Sequence, residues 1–210
     1  QLKAEVCMWN RRLPAEGLVR WTSGNVSGRD FERNLMVIKP SGVAFEDLTP
    51  ESMVVMDMDG TVVEGSLKPS SDAYTHLVVY RKMPWVGGMT HTHSNYATAW
   101  AATGQAIPCS LTAMCDEFGC DIPIGAFCLI GNEAIGEEIV RSIGPCTAIV
   151  MQNHGPFTIG KNPKSAVKAA VYLEDCARTL AIARGLGPIV PITPDNIAKA
   201  HARYQNEYGQ

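Results

Sequence analysis

Three histidines in the sequence have the residue type and spacing of a metal site. His91 and His93 stand two residues apart, and His154 lies in an Asn-His-Gly-Pro motif just beyond an apolar run. If the segment that begins at Trp85 forms a strand, both imidazoles project from one face, because side chains alternate along a strand. Three imidazoles with an open fourth position are typical of catalytic zinc and also suit other late first-row divalent metals. The pattern predicts a catalytic metal site, and the alternative is a set of ordinary sheet histidines.

The two remaining histidines have a different setting. His76 falls inside a segment of helical apolar spacing, where a structural role is the favoured interpretation. His201 falls in the last predicted helix, where we expect it to be exposed. Neither is predicted to bind the metal.

Composition limits the classes of protein that the chain can belong to. With 210 residues, 46% of them hydrophobic, it can form one domain spanning residues 1–210. Its net charge is -3 with scattered basic residues, and no apolar stretch reaches membrane-spanning length, so neither nucleic acid nor a membrane is an expected partner. Seven cysteines without a CxxC pair indicate a reducing cytoplasm. Because the first residue is Gln1, we expect that a few residues precede it.

Hydrophobic periodicity and turn residues predict an α/β fold. Helical spacing predicts helices over 2–13, 71–83, 95–102, 133–143, 164–184 and 197–208. Strands are predicted over 35–38, 54–56, 61–63, 85–92 and 147–152. Short strand pairs, one of them joined by a turn at Asp59-Gly60, argue against a simple alternating βαβ series. The expected architecture is a central, mostly antiparallel sheet flanked by helices.

Six short motifs, in order along the chain, resemble the class II aldolase and adducin-like family. They are Ser23-Gly24-Asn25-Val26-Ser27, Ile38-Lys39-Pro40-Ser41-Gly42, Lys68-Pro69-Ser70-Ser71-Asp72, His91-Thr92-His93-Ser94, Asn153-His154-Gly155-Pro156-Phe157 and Tyr208-Gly209-Gln210. The resemblance implies a single-domain class II aldolase-like fold and a divalent metal ion, zinc above all, with manganese or cobalt as alternatives. It further implies a phosphorylated ketose substrate and a C4 homotetramer with active sites at subunit interfaces.

By the same resemblance, seven residues bind the substrate phosphate. They are Gly24, Asn25, Lys39, Ser41, Gly42, Ser70 and Ser71. Hydroxyl groups, glycine-exposed backbone N–H groups and the start of a helix near Ser71 together form a suitable anion cradle, to which Lys39 adds a positive charge. Taken singly, each Ser-Gly or Ser-Ser pair among these residues is interpreted more simply as a turn or a helix cap.

Asp72 separates two branches of the family. Aldolases that resemble fuculose-phosphate aldolase have a Glu at this position, whereas the epimerases have an Asp, as this chain does. The resemblance therefore makes Asp72 a metal ligand or a neighbour of the metal, together with His91, His93 and His154. From its position alone, Asp72 is equally well interpreted as a helix N-cap.

The epimerase branch also implies two proton-transfer residues, Asp116 and Tyr208, with Tyr208 donated by a neighbouring subunit. Residues 112–119 depart from the family pattern, because Met114 and Cys115 precede Asp116 and Glu117 follows it. Glu117 therefore competes with Asp116 for the role. A solvated surface carboxylate is the alternative for both.

The implied activity is interconversion of L-ribulose 5-phosphate and D-xylulose 5-phosphate. The C3–C4 bond breaks in a retro-aldol step, and the fragments recombine with C4 inverted. A sugar-phosphate aldolase, dehydratase or decarboxylase that uses the same metal site is the first alternative. A noncatalytic adducin-like module is the remote one. Arabinose or ascorbate breakdown is the expected pathway.

Overall fold

The computed structural model describes residues 1–208, which form one eight-stranded sheet and seven α-helices. The strands are β1 (Asn25–Asp30), β2 (Leu35–Ile38), β3 (Val54–Asp57), β4 (Val62–Glu64), β5 (Gly88–His91), β6 (Ile124–Gly125), β7 (Ala148–Met151) and β8 (Gly155–Gly160). The helices are α1 (Leu2–Arg12), α2 (Ala73–Lys82), α3 (Asn95–Ala102), α4 (Thr112–Glu117), α5 (Ala134–Ser142), α6 (Pro163–Leu186) and α7 (Pro194–Arg203). A π-helical segment, Tyr204–Tyr208, continues from α7. Gly209 and Gln210 of the last sequence motif lie outside the described residues.

The sheet has the strand order β4-β3-β2-β1-β5-β8-β7-β6. All neighbouring strands are antiparallel except β6 and β7, which are parallel. The predicted α/β class and the mostly antiparallel sheet are therefore confirmed. Strand β5 lies in the middle of the sheet, paired with β1 on one side and β8 on the other.

Alternation along the strands divides the apolar side chains between two cores. On β2, Met36 and Ile38 join the larger core, which includes residues of α2, α5 and α6, while Val37 between them joins a second core beneath α1. This is the period of two expected of a strand covered on both faces. Helices on both faces hold the sheet rigid and fix the ends of its central strands.

The predicted helices and strands are all present, with shifts of a few residues at their ends. Strand β5 is shorter than the predicted segment 85–92, and Gly87 and Gly88 at its start lie against the backbone at Lys161 and Asn162. A Cβ atom at Gly88 would lie 2.2 Å from Asn162. Strands β1, β6 and β8 and helix α4 were not predicted. No helix within residues 1–208 is both long and apolar enough to cross a membrane.

Candidate active site

The three predicted metal ligands meet at one end of the central strands. His91 is the last residue of β5, His93 follows two residues later, and His154 lies in the turn between β7 and β8. Because β5 pairs with β8 in the register His91↔Phe157, the end of β5 lies beside the start of β8. The antiparallel topology therefore brings together imidazoles that are more than sixty residues apart in sequence.

The geometry of the three imidazoles suits a metal ion. One ring nitrogen from each lies within 4.8 Å of the others, and the Nε2 atoms of His91 and His93 are 2.9 Å apart. His91 Nδ1 lies 3.0 Å from the carbonyl oxygen of Pro156, to which its N–H donates. That bond fixes the tautomer and leaves His91 Nε2 with a free lone pair toward the cluster. The His91 ring also stacks on Phe157, with centroids 4.0 Å apart.

Desolvation favours the neutral form of the three histidines, most strongly at the buried His91. It lowers the pKa of His91 well below its usual value, and the nearby His154 and His93 lower it further. Burial also lowers the pKa of His93 and of His154, although the Asp72 carboxylate acts in the opposite direction on both. Neutral imidazoles are the form that binds a metal.

Asp72 stands at the N-terminus of α2 but does not cap it with its side chain. Asp72 therefore occupies the N-cap position, as the alternative interpretation expects, but its Oδ2 accepts a hydrogen bond of 2.7 Å from Asn25 Nδ2 in place of a helix N–H. Its Oδ1 is buried and has no hydrogen-bond partner among the described residues. A buried carboxylate oxygen without a donor is costly unless a cation approaches it. Asp72 is not one of the residues whose ligand atoms all lie within 4.8 Å, so its place as a ligand stays a prediction.

The residues predicted to bind phosphate line one cavity of about 280 Å³ that also includes Asp72, His91 and His93. These are Gly24, Asn25, Lys39, Ser41, Gly42, Ser70 and Ser71. Two connections hold the cavity together: Asn25 Nδ2 donates to Ser70 Oγ at 3.0 Å, and the Ser70 N–H donates to the Lys39 carbonyl at 3.0 Å. The candidate anion cradle therefore opens into the same space as His91 and His93, and His154 lies beside these two.

Lys39 supplies the cavity with a buried positive charge. The side chain is almost fully buried, and its Nζ contacts two carbonyl oxygens, of Pro40 at 3.2 Å and of Thr22 at 3.4 Å. Burial lowers the pKa of Lys39 to about 8. An ammonium group held by carbonyl oxygens alone would be stabilised by a phosphate dianion.

Backbone conformation at Gly24 makes room for the cluster. Gly24 has φ +88°, and a Cβ atom there would lie 2.9 Å from the His91 carbonyl and 2.6 Å from Val19 Cγ1. A side chain at this position would push β1 away from the end of β5. The glycine in the Ser-Gly-Asn motif is therefore required by the approach of two backbones.

Asp116 and Tyr208, the predicted proton-transfer residues, lie together in this chain. Asp116 is on α4, and Tyr208 ends the π-helical segment, with its Oη donating to Asp116 Oδ1 at 3.1 Å. Neither residue lines the cavity that contains the histidines. The family resemblance implies that a neighbouring subunit donates Tyr208 to the site, and this stays a prediction; within one chain, Tyr208 and Asp116 form a hydrogen-bonded pair.

Glu117, the competing carboxylate, has a different partner. Its Oε2 lies 2.9 Å from Lys168 Nζ, and only 10% of its side chain is exposed. Asp116, in contrast, is partly exposed and bonded to a tyrosine hydroxyl. Glu117 is thus paired with a lysine, and the choice of Asp116 as the proton-transfer residue stays a prediction.

The structure corrects the prediction for His201 and fits that for His76. His201 is half-buried rather than exposed, because α7 packs on α4 and His201 Nδ1 lies 2.9 Å from the Asp116 carbonyl. His76 is fully buried, with Nδ1 2.6 Å from Ser27 Oγ. Burial lowers the pKa of His76 to about 3, so it is a neutral, structural histidine.

Sequence reasoning missed several residues of the site. Ile130, Thr22 and Pro40 line the cavity, and Pro156 supplies the carbonyl that orients His91. Pro40 and Pro156 had a sequence signal, because each stands in one of the six motifs. Ile130 carried none, because it belongs to a loop that approaches the cavity only in the folded chain.

Known proteins resemble this chain along most of its length. The model of the class II aldolase and adducin N-terminal domain matches residues 4–181. The L-ribulose-5-phosphate 4-epimerase UlaF of Salmonella paratyphi B is 45% identical, over 96% of this chain and 93% of its own length. The corresponding protein of Salmonella typhi has the same identity and coverage.

Two solved structures share the fold. L-fuculose 1-phosphate aldolase superposes with a TM-score of 0.93 at 27% identity, covering 97% of this chain and 96% of its own. YgbL of Klebsiella pneumoniae, described as a putative aldolase/epimerase/decarboxylase, gives a TM-score of 0.84 at 25% identity, covering 96% of this chain and 98% of its own.

Proposed function

The chain belongs to the class II aldolase and adducin family, and we propose that it is a metal-dependent L-ribulose-5-phosphate 4-epimerase. The observation that carries the proposal is the cavity in which His91, His93, Asp72 and the anion cradle meet. A ketose phosphate bound in this cavity would place its phosphate in the anion cradle and its carbonyl oxygen beside the histidines. The 45% identity to named epimerases supports the choice of reaction.

The resident metal of this proposal is a divalent ion, with zinc as the first choice and manganese or cobalt as alternatives. His91, His93 and His154 would hold it, and the unpartnered Asp72 Oδ1 beside them fits a cation. When bound, the ion supplies Lewis-acid stabilisation of negative charge on the sugar oxygens. Imidazole ligands suit all three metals, which is why zinc itself stays a proposal.

The cradle fixes the end of the substrate that carries the phosphate. Lys39 contributes its ammonium group, and Asn25 and the serine hydroxyls contribute hydrogen-bonding groups around it. Holding the phosphate keeps the two-carbon fragment in place after the C3–C4 bond breaks. The fragment then turns its aldehyde face and rejoins with C4 inverted, without loss of any atom.

Asp116 and Tyr208 would move the proton at the C4 oxygen. The C4 hydroxyl loses its proton as the C3–C4 bond breaks, and the aldehyde oxygen regains one as the bond forms again. Partial desolvation and the neighbouring Asp116 carboxylate raise the pKa of Tyr208, so the phenol holds its proton until a base receives it. The hydrogen bond between the pair provides a path for restoring the starting protonation after each turnover.

The separation of this pair from the cavity supports assembly into a homotetramer of C4 symmetry. Since one chain carries both residues away from its own histidines, a neighbouring copy would present its pair to the cavity. Two apolar residues at the rim of the cavity are exposed to solvent. Ile130 lines the cavity and is 52% exposed, and Leu129 beside it is 72% exposed. Covering such residues is a typical role of a subunit interface.

A coupled assay tests the proposed reaction. Metal-loaded protein is incubated with L-ribulose 5-phosphate, and D-xylulose 5-phosphate and free glycolaldehyde phosphate are both measured. The proposal predicts D-xylulose 5-phosphate without accumulation of the aldehyde. Absence of the epimer from protein that holds its metal would contradict it.

A sugar-phosphate aldolase is the second candidate, favoured by the TM-score of 0.93 to L-fuculose 1-phosphate aldolase. The same assay separates the two, because an aldolase releases the aldehyde stoichiometrically. Asp72 is the residue that argues for epimerisation. Its carboxylate is tied to Asn25 and is one methylene shorter than the glutamate of that branch.

A further inference from the structure

A chain of three polar side chains links α4, α6 and the π-helical segment outside the cavity. Lys168 on α6 places its Nζ 2.9 Å from Glu117 Oε2 and donates to Tyr204 Oη at 2.9 Å. Glu117 directly follows Asp116 on α4, and Tyr204 precedes Tyr208 by four residues. Lys168 therefore connects the two segments that carry the acid–base pair.

We propose that the Glu117–Lys168–Tyr204 chain is a positioning device that holds Tyr208 against Asp116. This inference rests on the proposed function, since it assigns a role to residues around its proton-transfer pair. The three residues do not touch the cavity of the histidines. They are positioning residues and act through the orientation of Asp116 and Tyr208.

The contact continues along the terminal segment to Tyr208. The rings of Tyr204 and Tyr208 meet edge to face, with centroids 5.5 Å apart and planes at 84°. The Lys168 ammonium also lies 5.1 Å from the centroid of the Tyr204 ring. Fixing Tyr204 thus restricts the ring that packs on Tyr208, one turn further along.

A second anchor lies on the other side of Asp116. His201 Nδ1 lies 3.1 Å from the Cys115 carbonyl and 2.9 Å from that of Asp116, so its N–H donates to the end of α4. Gly119 packs on the same ring, where a Cβ atom would lie 2.6 Å from His201 Cγ. His201 and Tyr208 therefore contact α4 directly, and Tyr204, which lies between them in sequence, contacts Lys168.

Stability alone does not account for the ion pair in this chain. Burial raises the pKa of Glu117 even though Lys168 lowers it, so desolvation outweighs the attraction to the ammonium. Burial lowers the pKa of Lys168, but its bonds to Tyr204 and Glu117 raise it by more, which keeps the ammonium charged. A half-buried pair of this kind contributes little net stability and instead specifies one geometry.

Positioning has a direct consequence for proton transfer. A displacement of about 1 Å from productive geometry costs roughly 10²-fold in rate. Removal of the Lys168 ammonium would remove one link between α4 and the terminal segment and leave the His201 link in place, while the ends of the central strands would be unaffected. The effect is therefore expected in kcat, with KM and metal binding retained.

The test compares Lys168→Met, Tyr204→Phe and the conservative Lys168→Arg with wild-type protein in its metal-loaded, assembled form. The control is Lys164→Met, because Lys164 is an exposed lysine one turn earlier on α6. We expect Lys168→Met to lower kcat by about 10- to 100-fold at unchanged KM and metal content. Tyr204→Phe should show a smaller loss, Lys168→Arg a partial recovery, and Lys164→Met no change.

Amide hydrogen exchange provides a readout that does not depend on activity. Residues 201–206 should exchange faster in Lys168→Met, whereas residues 88–91 of β5 should be unchanged. Wild-type kcat together with wild-type exchange in Lys168→Met would overturn the inference, and so would a kcat loss matched by loss of metal. If wild-type protein forms no epimer, the proposed function fails, and unchanged exchange at residues 201–206 would separately refute the positioning contact.

Discussion

The histidine cluster and the Asp116–Tyr208 pair are built from different parts of the fold. The histidines stand at the ends of central strands, where pairing with neighbours on both sides fixes the backbone. Asp116 and Tyr208 stand on two helical segments near the surface, joined by side-chain contacts. Under the proposed function the two regions have separate roles: the strand ends would hold the metal and the phosphate, and the helical segments would supply proton transfer. Substitutions in the two regions should therefore have separable effects.

The largest effect is expected at the histidines. His93→Ala removes one of three ring nitrogens that converge within 4.8 Å, and it should abolish metal binding. Activity should fall by at least about 10³-fold, since a bound metal supplies several kcal/mol of charge stabilisation. Metal analysis of chelator-free protein measures the first effect directly.

Thr92→Val is the matched control for His93→Ala. Thr92 lies between the two histidines and its Oγ1 contacts Ser94 Oγ at 3.4 Å, away from the ligand atoms. This variant should keep the metal content of the wild type. Equal metal in His93→Ala and wild type would remove the basis for the site.

The next largest effect is expected at the proton-transfer pair. Asp116→Asn and Tyr208→Phe should each lower kcat by about 10²- to 10⁴-fold, the contribution typical of a general acid or base. Both variants should bind metal as the wild type does, because neither residue lines the cavity of the histidines. Steady-state kinetics with metal analysis on the same samples checks the separation. A loss of metal in either variant would mean that the two regions are not independent.

A smaller effect, on KM, is expected from the charge of Lys39. Lys39→Met should raise KM by about 10- to 100-fold, the range for a hydrogen bond to a charged group. Burial lowers the pKa of Lys39 to about 8, so the ammonium is present below pH 8 and is lost above it. KM of the wild type should therefore rise between pH 8 and 9. The other titratable groups lining the cavity are Asp72, His91 and His93, and neutral histidines cannot produce a rise in that range.

Lys161→Met, a change at an exposed lysine outside the cavity, should leave KM and its pH dependence as in the wild type. A KM that stays level up to pH 9 in the wild type would contradict the assignment of Lys39.

The sequence predicted the metal end of the site better than the strands that build it. The spacing of His91 and His93 predicted that both side chains reach one site, and the Asn-His-Gly-Pro motif predicted the third ligand. Strand β8 was missed because it begins with Gly155 and Pro156, residues that normally argue against a central strand. The carbonyl oxygen of Pro156 orients His91. The rule that proline is disfavoured in a central strand therefore fails at a residue that the site requires.

Tertiary packing explains the other differences. Strand β1 gives no apolar alternation to detect, because it contains Ser27, which bonds to His76 and Tyr80, and Gly28, whose lack of a side chain allows the approach of Pro163 and Val6. His201 is predicted to be exposed but is half-buried, because α4 covers it. The covering residues lie some 85 residues away in sequence. Hydrophobic periodicity in one sequence predicts which face of a helix is buried. It does not predict which element covers that face.

Subunit complementation tests the central claim most directly, that metal binding and proton transfer come from different copies of the chain. His93→Ala and Tyr208→Phe are co-expressed with different tags, and the mixed oligomer is assayed for D-xylulose 5-phosphate formation from L-ribulose 5-phosphate. Random assembly gives an intact site only where a Tyr208→Phe cavity meets a His93→Ala neighbour, so roughly a quarter of wild-type activity should return. If each chain forms its own complete site, no intact site arises, and a mixture as inactive as its parents would contradict the account.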